Sequence, residues 1–123
     1  MRKQYYFRRS PQGLLAWDVD RLVSLAAALP VHAVPLTEIR ELDEPMFDAD
    51  ERLTWRDFLG HVQLLDEAEL VYPIICAADG AVMDGRHRVA KALRLGRTSI
   101  DAVQFLVDPP PDYIGVQPDE LPY

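Results

Sequence analysis

Residues 84–88 combine the groups that proteins use to bind phosphate. They read Asp-Gly-Arg-His-Arg, and a helical period begins directly after Gly85. The first turn of a helix carries backbone N–H groups without intrahelical acceptors and the positive end of the helix dipole. Because Arg86, His87 and Arg88 add cationic and hydrogen-bonding side chains to that turn, the pattern predicts a seat for a phosphate group.

Arg88 is the leading candidate ligand in this segment. On a helical wheel it shares a face with Ala92 and Leu95, so it points partly toward apolar neighbours. Such an arginine needs a negative partner, which is either a protein carboxylate or a ligand phosphate. Asp84 is predicted to cap the helix by accepting from first-turn N–H groups, with metal binding or general-base catalysis as the alternative.

Another face of the same helix carries His87, Lys91 and Arg94 at positions i, i+4 and i+7. This face either belongs to the site or is the solvated side of a helix in an acidic protein. The stripe that should pack into the core consists of Val89, Ala92 and Leu93.

A β-hairpin is predicted to position the start of this helix. Two short apolar runs, residues 74–76 and 81–83, flank Asp79 and Gly80, and the Asp-Gly pair is a strong hairpin signal. Cys76 lies in the first run and is interpreted as a core residue instead of a nucleophile. Gly96 is predicted to end the helix as its C-cap.

The segments before the hairpin are predicted as two helices, an edge strand and a loop. Asp18 caps the first helix, which runs to about Leu29 because Pro30 cannot continue it. Its apolar face is formed by Leu22, Leu25, Ala26 and Leu29. Residues 32–36 form the strand because Pro35 suits an edge or a strand end. Residues 37–42 form one helical turn, and the acidic residues 43–53 form the loop.

The second helix begins at Thr54, which forms a capping-box pattern with Asp57. Apolar side chains then recur at helical spacing, which predicts a strongly amphipathic helix packed on the core. These apolar residues are Trp55, Phe58, Leu59, Val62 and Leu65, and Trp55 and Phe58 are interpreted as core residues. A β-rich run at residues 99–107 follows the third helix.

The two ends of the chain lack the helical and strand periods of the central segments. Residues 1–17 show no clear period and are predicted to form an extended arm anchored by aromatic side chains. Residues 108–123 contain five prolines, which predicts a polyproline-like tail that wraps the domain or stays mobile. Residues 18–107 between them form the single predicted domain.

Composition excludes several classes of protein. The chain has 123 residues and a formal net charge of −7, and this balance argues against a duplex DNA surface. No apolar segment approaches the roughly 20 residues of a membrane helix or resembles a secretory signal. The single cysteine fits a reducing compartment, so a cytoplasmic protein is expected.

Residues 32–106 resemble the ParB/sulfiredoxin superfamily of small nucleotide-binding domains. The resemblance is carried by HAVPLTEI, YPIICA, the Asp-Gly turn, MDGRHRVAKALRLG and IDAVQF, in that order. It implies an α+β fold in which a small mixed sheet packs with helices as a single domain. It also implies that Gly85, His87 and Arg88 bind the phosphates of ATP or CTP. Arg86 would add its charge to this site, and Mg²⁺ would bridge the phosphates with Asp84 as its candidate protein ligand.

At some motif positions this chain has other residues than the individual subfamilies, and these differences limit which of their activities are expected. ParB proteins have a glutamate that helps to hold magnesium where this chain has Arg86, and one of their arginines is replaced by Ala90. Sulfiredoxins have their nucleophilic cysteine at the Arg86 position, so sulfinic acid reduction is not expected. No helix-turn-helix segment follows the domain, so DNA loading is not expected either.

The free serine kinases of the same superfamily resemble this chain in the Asp-Gly-x-His-Arg turn. They use an upstream glutamate as general base, which would be Glu41 or Glu44 among the upstream acids here, and His87 would assist catalysis. The predicted function is therefore nucleotide binding, with phosphotransfer or nucleotide hydrolysis as the enzymatic form. The alternative is a non-catalytic nucleotide-responsive module, or a protein-interaction module that uses the C-terminal tail.

Overall fold

A four-stranded mixed sheet forms the centre of the molecule, in a computed structural model that describes residues 3–46 and 52–123. The spatial order of its strands is β3 (His32–Pro35), β6 (Ser99–Gln104), β4 (Ile74–Cys76) and β5 (Val82–Asp84). β4 runs parallel to β6, and the other two pairings are antiparallel. The predicted hairpin is therefore confirmed as β4 and β5, and β3 is confirmed as an edge strand with Pro35 at its end.

A second, three-stranded sheet is built from the two ends of the chain. β1 (Tyr5–Ser10) and β2 (Gly13–Asp18) form an antiparallel hairpin, and β7 (Tyr113–Ile114) pairs with β2. The predicted extended arm at residues 1–17 is a hairpin in its described part, because Tyr5–Ser10 pairs with Gly13–Asp18. The tail wraps the domain, which is one of its two predicted forms.

Specific hydrogen bonds hold the tail in place. The indole N–H of Trp17 donates to the carbonyl of Pro109 at 2.8 Å. The carboxylate of Asp112 accepts from the backbone N–H of Asp18 and from Arg21, both at 2.8 Å. Prolines prevent regular structure in most of this segment, yet its carbonyl and carboxylate oxygens still serve as acceptors.

Helix α1 (Val19–Ala26) begins at the predicted cap, where the side chain of Asp18 accepts from the N–H of Asp20. It ends before the predicted Leu29, and a hydrogen-bonded turn from Ala26 to Leu29 follows. Leu22 and Ala26 are buried, whereas Leu25 is exposed, so the predicted apolar face is only partly correct.

Two apolar clusters lie on opposite faces of the four-stranded sheet. Alternation along β4 divides them, since Ile75 joins one cluster while Ile74 and Cys76 join the other. The first cluster contains Trp17, Leu22, Ala26, Ile75, Ala77, Ala81, Met83, Val103 and Phe105. The second contains Leu36, Ile39, Ile74, Cys76, Val82, Val89, Ala92, Ile100 and Ala102. The ends of the chain thus build one core, and helix α3 (Arg86–Arg94) covers the other.

Helix α2 (Trp55–Glu67) has the predicted capping box, in which Thr54 and Asp57 bond to each other's backbone. None of its described residues is buried. The prediction that Trp55 and Phe58 belong to the core is wrong, because both are exposed. Two short 3₁₀ turns, Leu36–Glu38 and Arg40–Asp43, replace the single predicted turn before this helix, and much of the predicted loop at residues 43–53 lies outside the described residues.

These elements form one α+β domain with a mixed sheet, as predicted. Within residues 3–46 and 52–123, every helix falls short of the length and apolar content that crossing a lipid bilayer requires.

Candidate functional site

Gly85 begins helix α3 with a backbone conformation that other residues rarely adopt. Its φ is +112°, and a Cβ atom placed there would lie 2.6 Å from Cγ2 of Ile74. No side chain caps this helix, so the prediction that Asp84 is the N-cap is wrong. Helices α1 and α2, by contrast, are capped by Asp18 and Thr54. The first-turn N–H groups of α3 therefore have no side-chain acceptor among residues 3–46 and 52–123.

Arg88 is the most heavily bonded side chain at this corner. Its Nη2 donates to the Asp84 carboxylate at 2.8 Å, and its Nη1 donates to the carbonyls of Tyr72 and Pro73 at 3.0 and 2.8 Å. The side chain is only 14% exposed. The sequence leaves two possible partners for Arg88, a protein carboxylate and a ligand phosphate. In the structure the partner is the carboxylate of Asp84. Arg88 thus ties the start of α3 to the chain entering β4, and most of its donors are engaged.

Two histidines from different helices meet beside this corner. Nδ1 of His61, in α2, lies 3.0 Å from Nε2 of His87, in α3. Their rings are stacked, with 14° between the planes. One nitrogen must donate its N–H and the other must accept through a lone pair, so at least one of the two rings is neutral. Burial, and secondarily the neighbouring His61, lower the pKa of His87.

The His87, Lys91 and Arg94 face of α3 packs against α2. Nζ of Lys91 donates to the carbonyls of Asp66 and Ala68 at 2.9 and 2.7 Å, and Arg94 pairs with Asp66 at 2.5 Å. This face is therefore an interhelical contact instead of a solvated side. Leu93, which the helical period assigns to the core stripe, is exposed, whereas Val89 and Ala92 are buried.

A cleft of about 500 Å³ lies along α2 and includes His61 in its wall. The described residues that line it are Arg52, Leu53, Arg56, Asp57, Gly60, His61 and Leu64. In the part of the chain that the structure describes, neither Arg56 nor Arg86 makes an ion pair. The cleft therefore contains Arg56, which has no ion pair in the described chain. The contact between His61 and His87 connects this cleft to the uncapped start of α3.

The two candidate general bases have different surroundings. Oε2 of Glu41 accepts from the backbone N–H of Val82 at 2.7 Å, which satisfies a donor on edge strand β5. Its Oε1 is buried and has no hydrogen-bond partner among the described residues. Glu44 is exposed, just beyond the 3₁₀ turn Arg40–Asp43. The contact of Glu41 with Val82 thus places it against β5, and Glu44 faces solvent.

The described residues do not form a protein-only metal site. None of their histidine, cysteine, aspartate and glutamate side chains gather in groups of three or more. Oδ2 of Asp84 is engaged by Arg88, so this carboxylate is poorly placed to hold Mg²⁺ alone. Cys76 is buried, and burial together with the charge of Glu41 raises its pKa to about 11, which favours the unreactive thiol.

Sequence reasoning missed the contribution of α2 to this site. His61 lies 26 positions before His87, and a single histidine on an amphipathic helix gives no sign of its tertiary partner. The helical spacing of Arg52, Arg56 and Gly60 is a weak signal of a shared face. Only the packing of α2 on α3 brings these residues to the predicted corner.

The lowered pKa of His87 predicts a pH-dependent stability. The unfolded histidine takes up a proton near its usual value of 6.5, whereas the folded one does so only at lower pH. The contribution of His87 to the free energy of unfolding is therefore fully present above about pH 6.5. It is lost as the pH falls from the pKa of the unfolded histidine toward the lower pKa of the folded one. Urea unfolding at about pH 8 and about pH 5.5 should show this loss, and His87→Gln should reduce it.

His32 provides the matched control for this prediction. It is exposed in β3, so His32→Gln should leave the pH dependence of the unfolding free energy unchanged. An equal effect of both substitutions would contradict a special environment for His87.

Known proteins offer no further guide to the identity of the site. A scan against protein-family models finds no matching family. Searches of the curated proteins and of the solved structures likewise find no match. The residues and their geometry are therefore the basis for any functional conclusion.

Proposed function

We propose that this protein binds the phosphate groups of a nucleotide where the start of α3 meets the cleft along α2. The observation that carries the proposal is the uncapped first turn of α3, joined by the His61–His87 contact to a cleft that contains Arg56. Backbone N–H groups of an uncapped turn are suited to phosphate oxygens. Arg86 stands exposed in that turn and adds a charge-assisted donor.

The local charge at this position supports an anionic ligand in a protein of net charge −7. Arg86 and Arg56 make no ion pair with any described residue, so their charge is not offset within the described chain. One ring of the histidine pair can take up a proton when a phosphate lies nearby, because an adjacent negative charge favours the charged imidazole. The ligand and the pair would then stabilise each other.

The resemblance of residues 32–106 to the ParB/sulfiredoxin superfamily supports a nucleotide as the phosphate-bearing ligand. ATP and CTP are the two nucleotides that this resemblance implies. Mg²⁺ would reach the site mainly through the ligand's own phosphates, since Asp84 already holds Arg88. The sequence makes Arg88 the leading candidate for binding phosphate. We instead propose Arg86 as the main arginine ligand, because its side chain is exposed.

Binding without turnover is the form of the proposal that the geometry favours. It needs only the seat for phosphate, whereas phosphotransfer also needs a base beside the acceptor hydroxyl. Glu41 is the better of the two candidate bases because one of its oxygens is held in place while the other, Oε1, is buried without a partner in the described chain. Product analysis after incubation with Mg²⁺ and nucleotide separates the two forms.

Calorimetric titration with ATP, CTP and GTP, with and without Mg²⁺, tests the proposal directly. At least one nucleotide should bind, and Arg86→Ala should weaken its affinity by about tenfold or more because a charge-assisted hydrogen bond is lost. The exposed residue Trp55, which lies near the cleft in the sequence, offers a fluorescence signal for the same titration.

Arg97→Ala is the matched control. Arg97 is another exposed arginine without an ion pair in the described chain, but it lies beyond the opposite end of α3. Its removal should leave the affinity unchanged. Absence of binding by all three nucleotides, or an equal loss in both variants, would contradict the proposed seat.

A further inference from the structure

Helix α2 presents a continuous apolar face to solvent. Trp55 is 83% exposed, Leu59 62% and Phe58 47%. The rings of Trp55 and Phe58 pack edge to face, with centroids 6.1 Å apart. Large apolar side chains grouped in this way mark a surface that another molecule covers.

The spacing of these residues suits packing against a second helix. Trp55, Leu59 and Val62 are separated by four and three positions, which is the alternation of a coiled-coil seam. Val62 is half-buried, so the exposed part of the seam is its first half. A second helix laid along this half would bury Trp55 and Leu59.

Charges at the two ends of α2 favour an antiparallel copy of the same helix. Arg52 precedes the helix, and Asp66 and Glu67 lie in its last turn. An antiparallel pairing centred on Leu59 places Arg52 of one copy beside Asp66 of the second copy. Asp66 is paired with Arg94 but remains 56% exposed, so it can accept from a second arginine. Opposed helix dipoles add to this arrangement.

We propose that the protein forms a two-fold symmetric dimer through antiparallel packing of α2, with Leu59 at the axis. A two-fold interface joins the same surface of both copies, and the α2 face supplies both apolar and charged complementarity to itself. On the helical wheel, Leu59 lies on a different face from Gly60, His61 and Leu64 in the cleft wall, but Arg52 both lines the cleft and belongs to the proposed ion pair with Asp66. The dimer therefore borders the cleft and leaves the uncapped start of α3, with Arg86, outside the contact.

Sedimentation velocity over a range of concentrations tests this proposal. The wild-type chain should sediment as a particle of twice its 14.0 kDa mass at about 100 μM, in line with a small apolar interface. Leu59→Glu should weaken association by about tenfold or more, because two like charges would meet at the axis. Circular dichroism should show that this exposed substitution leaves the fold intact.

Leu106→Glu is the matched control because Leu106 is 93% exposed and lies outside α2. It adds the same charge in place of the same apolar residue and should leave the dimer unchanged. A wild-type monomer at about 500 μM would overturn the proposal, given the apolar area available. A dimer equally sensitive, or equally insensitive, to both substitutions would also overturn it.

Oxidative crosslinking tests the position of the axis. In Leu59→Cys the two thiols would face each other, so an interchain disulfide should form under mild oxidation. Native Cys76 is buried and gives no background. Leu106→Cys should crosslink far less, and equal crosslinking of the two variants would contradict a pairing centred on Leu59.

Discussion

Gly85→Ala should lower the free energy of unfolding by about 2–5 kcal/mol. The new Cβ would lie 2.6 Å from Cγ2 of Ile74 and 3.1 Å from Nη2 of Arg88, at a φ of +112°. Ile74 is completely buried and cannot move aside without disturbing the core beneath α3. The protein must therefore bear backbone strain, steric overlap and a displaced Arg88 together. Urea unfolding followed by circular dichroism measures the loss.

Gly80→Ala separates the cost of backbone strain from the cost of steric overlap. Gly80 also has a positive φ, +90°, but a Cβ atom added to it would meet no atom within 4 Å beyond its chain neighbours. This control should lose only about 1–2 kcal/mol, the cost of the backbone conformation. Equal losses in the two variants would mean that Ile74 and Arg88 do not constrain the start of α3.

Arg88→Ala should lower the free energy of unfolding by about 2–4 kcal/mol. The substitution leaves the mostly buried carboxylate of Asp84 without its cation and removes the donor to the carbonyls of Tyr72 and Pro73. The sequence alone suggests that this variant keeps its fold and loses only ligand binding. The observed contacts reverse that expectation, and denaturant unfolding decides between the two.

Arg94→Ala is the control on the same helix. Arg94 pairs with Asp66, but both side chains are more than half exposed, so this variant should lose no more than about 1 kcal/mol. A double-mutant cycle between Arg88→Ala and Asp84→Asn should show that the two residues are coupled. Unchanged stability of Arg88→Ala with loss of nucleotide binding would instead restore Arg88 as a ligand of phosphate.

Local signals predicted much of the central unit. The hairpin of β4 and β5, the capping box at Thr54 and the N-cap of α1 are confirmed because each depends on residues within a few positions of one another. Gly96 follows the last turn of α3, where its N–H donates to Leu93 and that of Arg97 donates to Ala92, as a glycine-terminated helix requires. These features need no knowledge of distant segments.

Predictions that depended on long-range pairing were less successful. The described part of the predicted arm is a hairpin because Tyr5–Ser10 pairs with Gly13–Asp18, which also pairs with Tyr113–Ile114. The first half of the amphipathic face of α2 is exposed, and the predicted packing of Trp55 and Phe58 on the core does not form. Periodicity shows that a helix has an apolar face but does not show what covers it.

The same distinction between local signals and long-range contacts applies to the candidate site. The sequence alone determined that Gly85 would begin a helix whose first turn carries Arg86, His87 and Arg88, since turn chemistry and helical period are local properties. Only the tertiary structure decided that Asp84 holds Arg88, that Glu41 satisfies Val82 and that His61 reaches His87. Each of these choices depends on which groups are brought within hydrogen-bond distance when water is excluded, and that is a property of the packed chain.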